Sequence, residues 1–242
     1  MQSSPSLFNR FIDLLIPLRC SKCGSILENK EGLCASCWPL ISFITKPHCF
    51  CCGLPFDFEI AEDALCGSCS QEKPLYKTAR SVFVYTAESK DLILKFKHTD
   101  SLHSAPLFAS WMARSAIDLQ NPLCLPVPLH WTRLFMRTYN QSALLAQKIA
   151  KLKGWIYCPS LLLRKRRTPS QGSLSKTERI KNVSQAFKVP EVKKNQLSGK
   201  TVLLIDDVFT TGATLNACAK VLLKGGAHEV HALTLGRVVK GH

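Results

Sequence analysis

The stretch Gly199-Lys200-Thr201-Val202-Leu203-Leu204-Ile205-Asp206-Asp207-Val208-Phe209-Thr210-Thr211-Gly212-Ala213-Thr214 decides the fold. Val202 to Ile205 is a short continuous apolar run, as a parallel strand buried on both faces requires. Two carboxylates follow it side by side, then a loop of small hydroxyl residues around Gly212. From Ala213 the apolar positions Leu215, Ala219, Leu222 and Leu223 recur at helical spacing, and Gly225-Gly226 ends the pattern. A strand, a small-residue turn and a helix present backbone N–H groups, hydroxyls and a helix N-terminus to a phosphate. Asp206 and Asp207 repel phosphate but suit two vicinal hydroxyls, with a hydrated Mg2+ nearby. A phosphate and a diol one sugar apart describe a ribose 5-phosphate. A Walker loop is excluded, because Lys194 stands where its first glycine is needed, and no G-x-G-x-x-G occurs.

Outward from this turn the pattern alternates. Val82–Tyr85, Leu123–Val127, Leu161–Leu163 and His228–Leu235 read as strands. Leu92–His98, Pro106–Ile117 and a long segment from Thr132 to Lys153 read as helices. Such alternation predicts an α/β fold with a mostly parallel sheet, whose ligands gather at the carboxyl ends of the strands. Lys97, the loop after Val127, the basic run after Leu163 and Asp206-Asp207 then converge on one crevice.

The amino-terminal third is built differently. Of 12 cysteines, nine lie between Cys20 and Cys69, and eight of these form four C-x2-C pairs: Cys20/Cys23, Cys34/Cys37, Cys49/Cys52 and Cys66/Cys69. Two such knuckles supply the four thiolates of a tetrahedral zinc site, so eight ligands match two Zn2+ ions. Gly24 and Gly53 follow a second sulfur, where a knuckle needs an unhindered backbone. The pairs can share ions sequentially or interleaved; Cys51 and His48 read as bystanders. Four-sulfur sites are closed to substrate, and their task is to fold a segment without a sizeable core.

Charge divides at the same place. Residues 1–79 hold 7 Lys and Arg against 8 Asp and Glu, whereas the whole chain of 242 residues carries a net +15. The basic density peaks over residues 164–200, with 11 Lys and Arg against 2 Glu. That density suits pyrophosphate, and it also suits a single-stranded nucleic-acid backbone. With 46% hydrophobic and 20% charged residues the chain is not disordered, and no apolar run approaches the roughly 18 residues that would span a bilayer. Phe8–Ile16 carries Asp13 and no small-residue cleavage site, so it reads as a short amphipathic helix rather than a signal peptide. The expected layout is an amphipathic helix over 1–18, a double zinc ribbon over 19–73 and an α/β domain over 78–242, in a cytoplasmic protein.

The strand–Asp-Asp–Thr-Thr-Gly-Ala-Thr–helix turn resembles the 5-phosphoribosyl-1-pyrophosphate (PRPP) motif of type I phosphoribosyltransferases. Nearly the full chain resembles the ComF family. That likeness rests on the four C-x2-C pairs, Leu92–His98, Pro126–Leu134 with Arg137–Gln141, and Arg164-x-Arg166-x-Thr168 with Gln171, Leu174, Arg179 and Asn182. Departures are small: Trp131-Thr132 where Pro or Arg is commoner, and Thr138-Tyr139 where Gly-Phe is usual.

The resemblance implies a type I phosphoribosyltransferase-like sheet behind an N-terminal double zinc ribbon. It implies that Asp206 and Asp207 hold the ribose hydroxyls and that Thr210, Thr211, Gly212, Ala213 and Thr214 hold the 5-phosphate. Lys97, His130, Arg133 and Arg137 take the place of the pyrophosphate-binding groups. Asp206, Asp207, Arg164 and Arg166 are the implied catalytic residues, the arginines on a loop from Arg164 to Asn182 that closes over PRPP. Zn2+ at two structural sites and Mg2+ with PRPP are the implied cofactors. Single-stranded DNA and DNA-uptake proteins, in natural transformation, are the implied partners. The alternative is a Mg2+-dependent transferase acting on a nucleobase or nucleotide without any DNA role.

Overall fold

The structure, a computed structural model, describes residues 18–27, 32–97, 103–129, 139–165 and 186–239. Its frame is a five-stranded, wholly parallel sheet of β1 (Thr78–Val84), β2 (Leu123–Pro126), β3 (Ile156–Tyr157), β6 (Thr201–Phe209) and β7 (Glu229–Arg237), in the order β1-β7-β6-β2-β3. A separate two-stranded ribbon pairs β4 (Leu163–Arg164) with β5 (Phe187–Lys188) antiparallel. Among the described residues four helices exceed two turns: α1 (Ala87–Lys97), α2 (Ala105–Ser115), α3 (Gln141–Lys153) and α4 (Ala213–Lys224).

Strand β6 is central, with Val202, Leu203, Leu204 and Ile205 all buried, as its unbroken apolar run requires. The alternation of its side chains divides the core in two. Leu203 and Ile205 pack with Leu92, Ile93 and Phe96 of α1, Phe108 and Met112 of α2, and Leu145 and Ile149 of α3. Val202 and Leu204 pack on the other face with Leu215, Cys218, Ala219 and Leu222 of α4 and with Phe187 of β5.

The cysteine-rich segment is spread over both faces. Cys20 and Cys37 sit in the core of α1–α3, whereas Cys49, Cys52, Cys66 and Cys69 sit in the core of α4. The chain between the two groups runs along β1, the sheet's edge: Val84 N donates to Ser42 O at 2.8 Å and Ile44 N to Val82 O at 2.9 Å. Phe43 packs edge-on against Trp111, centroids 5.3 Å apart. An otherwise open strand edge is thereby covered.

Four features differ from the sequence pattern. Asp206 and Asp207 lie within β6, which runs on to Phe209, rather than beyond its end. The described part of the long helix begins at Gln141, because Asn140 is extended and caps it; its side chain accepts from Ser142 N and Ala143 N. Positions 130–138, where the earlier start falls, lie outside the described residues. Leu161 and Leu162 are buried without being a strand, and the strand that follows joins the small ribbon instead of the main sheet. Ile156–Tyr157, too short to show a period, adds the far edge of the sheet. The amphipathic helix expected at the start and the segment 166–185 also lie outside the described residues.

One glycine shows how tightly the second knuckle meets the sheet. Gly53 has φ +70°, and a Cβ there would stand 2.6 Å from Ala79 O of β1. Gly24, its counterpart in the first knuckle, has φ +81° with open space around it. Gly24→Ala is expected to cost about 1 kcal/mol of backbone strain, and Gly53→Ala at least about 2 kcal/mol more because a backbone oxygen must move. Thermal melts check this, with Tm falling about 2–4 °C per kcal/mol in a chain of this size.

Candidate functional site

The site grows from the carboxyl end of β6. The Asp206 carboxylate accepts from its neighbour's amide, Asp207 N, at 2.9 Å and from Ser142 Oγ at 3.1 Å. Asp207 Oδ2 pairs with Lys97 Nζ at 3.0 Å, both side chains being about four-fifths buried. Ser142 is in the first turn of α3 and Lys97 ends α1, so residues far apart in sequence meet at one strand end.

The segment Tyr139–Ser142 makes this meeting possible. Tyr139 Oη donates to Phe96 O, Gln141 Nε2 to Lys97 O at 3.2 Å, and Asn140 Nδ2 to Val127 O at 3.2 Å. The end of α1, the end of β2 and the start of α3 are thus tied beside β6. Tyr139, Asn140 and Gln141 entered the sequence reading only as part of a family pattern, and Ser142 did not enter it at all. Its signal was the N-cap pattern of Asn140 ahead of an apolar helix face.

The glycine turn follows. Gly212 is buried with φ +76°, the left-handed conformation that glycine adopts without strain, and it opens α4. A Cβ there would meet Phe209 Cζ at 2.9 Å and Tyr76 Oη at 3.2 Å. Thr211 Oγ1 accepts from Ala213 N at 3.4 Å, and Asn216 N returns to Gly212 O at 2.8 Å. Gly212 is thus the N-cap of a 12-residue helix whose first amide, Ala213 N, is held by Thr211.

Arg164 lies over the Phe187 ring, 5.3 Å from its centroid. Phe187 belongs to the core under α4, so Arg164 lies on that face of the sheet. Arg166, His130, Arg133 and Arg137 lie outside the described residues. Lys165 N donates to Ala186 O at 2.8 Å, which joins the two residues flanking positions 166–185 next to Arg164.

The eight cysteines form two clusters, in sequential pairing: Cys20, Cys23, Cys34 and Cys37, then Cys49, Cys52, Cys66 and Cys69, the four sulfurs of each within 4.8 Å of one another. The two are built alike. Gly24 N donates to Cys20 O and Gly53 N to Cys49 O, both at 2.8 Å; Cys20 N meets Ser25 O and Cys49 N meets Leu54 O, also at 2.8 Å. Amides point at sulfur in each, from Cys34 N to Cys20 Sγ at 3.4 Å and from Cys66 N to Cys49 Sγ at 3.3 Å. Sulfurs of adjacent knuckles stand 3.7 Å (Cys23 to Cys34) and 3.6 Å (Cys52 to Cys66) apart. A disulfide needs about 2.05 Å, whereas tetrahedral zinc with bonds near 2.3 Å sets its sulfurs about 3.8 Å apart. Both clusters fit structural zinc. Cys51 belongs to neither; its carbonyl accepts from Ala79 N at 2.6 Å.

The Cys52 thiol, and behind it the amides of Cys52 and Cys66, pull Cys49 down to about 4, while Cys52 itself is pushed up. Zinc binding displaces thiol protons. Purified chain is expected to carry two zinc ions by atomic absorption, and to lose them together with its fold on acidification or strong chelation. One ion or none would contradict the two-cluster arrangement.

Burial, and then the Asp207 charge, push the Asp206 carboxyl up to about 7. An unfolded aspartate gives up its proton at about 3.9. Between these values the native state holds more protons, so stability contributed at this residue falls as pH rises from about 4 to 7. Asp206→Asn keeps an acceptor for Ser142 and Asp207 N without the charge. In urea denaturation it is expected to be more stable than the parent by about 1–3 kcal/mol at pH 8, a gap that closes towards pH 4.

Comparison with known proteins agrees with this layout. Residues 11–70 match the double zinc ribbon domain, and residues 140–239 match the phosphoribosyl transferase domain. Competence protein F of Haemophilus influenzae is 31% identical over 230 residues, 90% of this chain and 96% of its own. DNA utilization protein YhgH of Escherichia coli K12 is 31% identical over 237 residues, 93% of this chain and 100% of its own. Competence protein ComFC of Bacillus subtilis is 29% identical over 222 residues, 88% and 87% of the two chains. Likeness over nearly the whole length, with a strand-end carboxylate pair, a glycine turn and two four-cysteine clusters in place, means that the chain belongs to the ComF family, a double zinc ribbon joined to a phosphoribosyltransferase domain.

Proposed function

We propose that the chain binds PRPP with Mg2+ at the end of β6 and serves in the handling of single-stranded DNA during natural transformation. The observation that carries the first part is the intact strand-end geometry. Asp206 and Asp207 are held by Ser142 and Lys97 beside a glycine turn that opens α4. The two carboxylates accept the ribose hydroxyls, and Thr210 to Thr214 hold the 5-phosphate through amides and hydroxyls. Hard oxygen donors at Asp206 and Asp207 suit a hydrated Mg2+, which when bound neutralises charge on pyrophosphate. Lys97 stands at the same crevice and exchanges Asp207 for the pyrophosphate as ligand enters. Should transfer occur, the bond from the anomeric carbon to pyrophosphate breaks as an acceptor nucleophile bonds to that carbon. The cations Lys97 and Arg164, with Arg133, Arg137 and Arg166, then offset the leaving charge.

The DNA part rests on the names of the relatives, a competence protein and a DNA utilization protein among them, and on the cationic run of residues 164–200. A phosphate backbone lying along that run would be held by counterion release and would leave as salt rises. The phosphoribosyl transferase match over residues 140–239 favours the second reading, turnover on a nucleobase or nucleotide acceptor. A pyrophosphate-release screen over nucleobases, nucleotides and DNA ends separates the two.

Titration calorimetry tests the site. PRPP is expected to bind with Mg2+ and not without it, and Asp206→Ala/Asp207→Ala is expected to lose at least tenfold in affinity; equal heats from parent and variant overturn the reading. Replacing Arg164 to Arg167 by Ala is expected to weaken single-stranded DNA binding and flatten its salt slope, and an unchanged slope removes the DNA role of that run.

A further inference from the structure

The two cysteine clusters are alike in their knuckles and unlike in their surroundings. At the first, Arg19 Nη1 reaches a carbonyl, Gly24 O, at 3.1 Å. At the second, an arginine from the far end of the chain reaches the sulfur itself: Arg237 Nη2 donates to Cys52 Sγ at 3.3 Å and Nη1 to Cys52 O at 2.5 Å. Arg237 ends β7 and is only 5% exposed. A guanidinium so placed needs a counter-charge, and a thiolate ligand supplies it.

The same guanidinium has a second task. Its Cζ lies 4.2 Å from the centroid of Phe209, the last residue of β6. Phe209 is itself buried, meets Tyr76 edge-on at 6.3 Å, and accepts Val238 N on its carbonyl at 2.8 Å. The far edge of that ring lies so close to Gly212 that a Cβ there would stand 2.9 Å from Phe209 Cζ. The contacts thus run Cys52 sulfur, Arg237, Phe209, Gly212, without a gap. A parallel tie joins the segment after the second cluster to α4, where Leu75 N donates to Asn216 Oδ1 at 2.7 Å.

We propose that Arg237 is a positioning residue of the phosphate turn and that, through it, the state of the second cysteine cluster sets the shape of Thr210–Thr214. With the Cys52 thiolate in a metal cluster, Arg237 is held by charge on one side and supports Phe209 on the other. When the cluster opens, Cys52 Sγ and Cys52 O are no longer held in place, Arg237 loses its anchor, and the ring under Gly212 loses its support. Phosphate binding and metal retention at the second cluster are then linked, each favouring the other, as equilibrium coupling requires. The first cluster, packed with α1–α3 on the opposite face, takes no part. The inference rests on the proposed function only for the identity of the bound phosphate, not for the coupling.

Hydrogen–deuterium exchange on the zinc-loaded full chain tests it, read on peptides covering residues 209–218. Arg237→Lys, which keeps the charge but loses the fork and the stack, is expected to speed exchange there about tenfold. Phe209→Leu, which leaves Cys52 untouched, is expected to do the same. Cys23→Ser, which breaks the first cluster at its exposed ligand, is expected to leave these amides at the parent rate. Arg237→Lys is further expected to release zinc to a chromogenic chelator several-fold faster than the parent, and Phe209→Leu is not. Parent-like exchange at 209–218 in both Arg237→Lys and Phe209→Leu, or equal loosening by Cys23→Ser, overturns the proposal. If the parent binds no PRPP with Mg2+, the functional reading fails while the exchange data still decide the coupling.

Discussion

Everything in the molecule follows from the pairing of β6 on both sides, with β7 along its length and β2 along its first half. A strand with two neighbours and two covered faces has to be apolar, and Val202 to Ile205 are buried accordingly. The same strand then carries two adjacent carboxylates into its second half, where β2 has already ended. Burial there is costly for charge, and the structure offsets the cost with Ser142 on Asp206 and Lys97 on Asp207. Asp206 nevertheless stays well above an ordinary aspartate in proton affinity. Such a site is less stable than an uncharged one would be, a cost of the kind that functional sites carry.

The cysteine clusters belong to the same scheme. One lies on each face of the sheet, and the chain between them covers the edge of β1. The second is in contact with the glycine turn through Arg237 and Phe209, so zinc held there would brace that turn as well as a local fold. This explains why Gly53 comes within contact of β1 whereas Gly24 faces open space, although both occupy the same position of one knuckle.

The sheet, the glycine turn and the cluster ligands were legible because each has a local cause. An apolar run of strand length, a small-residue turn before a helical period and C-x2-C spacing each speak for themselves within a few residues. What remained hidden is tertiary. Ser142 looks like any helix serine until α3 is placed against β6, and Arg237 looks like a strand end until Cys52 is placed beside it. The pairing of the four knuckles was open in sequence, since spacing alone permits more than one arrangement; packing on opposite faces of the sheet decides for the sequential one. Ile156–Tyr157 was too short for a period, and Asn140 ended a helical pattern that apolar spacing alone had carried back to Thr132.

The central claim is that the turn from Thr210 to Thr214 is a phosphate site beside a diol site. Its most direct measurement is a titration of isotope-labelled chain with ribose 5-phosphate and Mg2+, followed by amide chemical shifts. The account predicts the largest, saturable shifts at Gly212 and the amides on either side of it, together with Asp207, and no comparable change around the first cysteine cluster. Shifts that leave Gly212 untouched, or that map elsewhere on the basic surface, would contradict it.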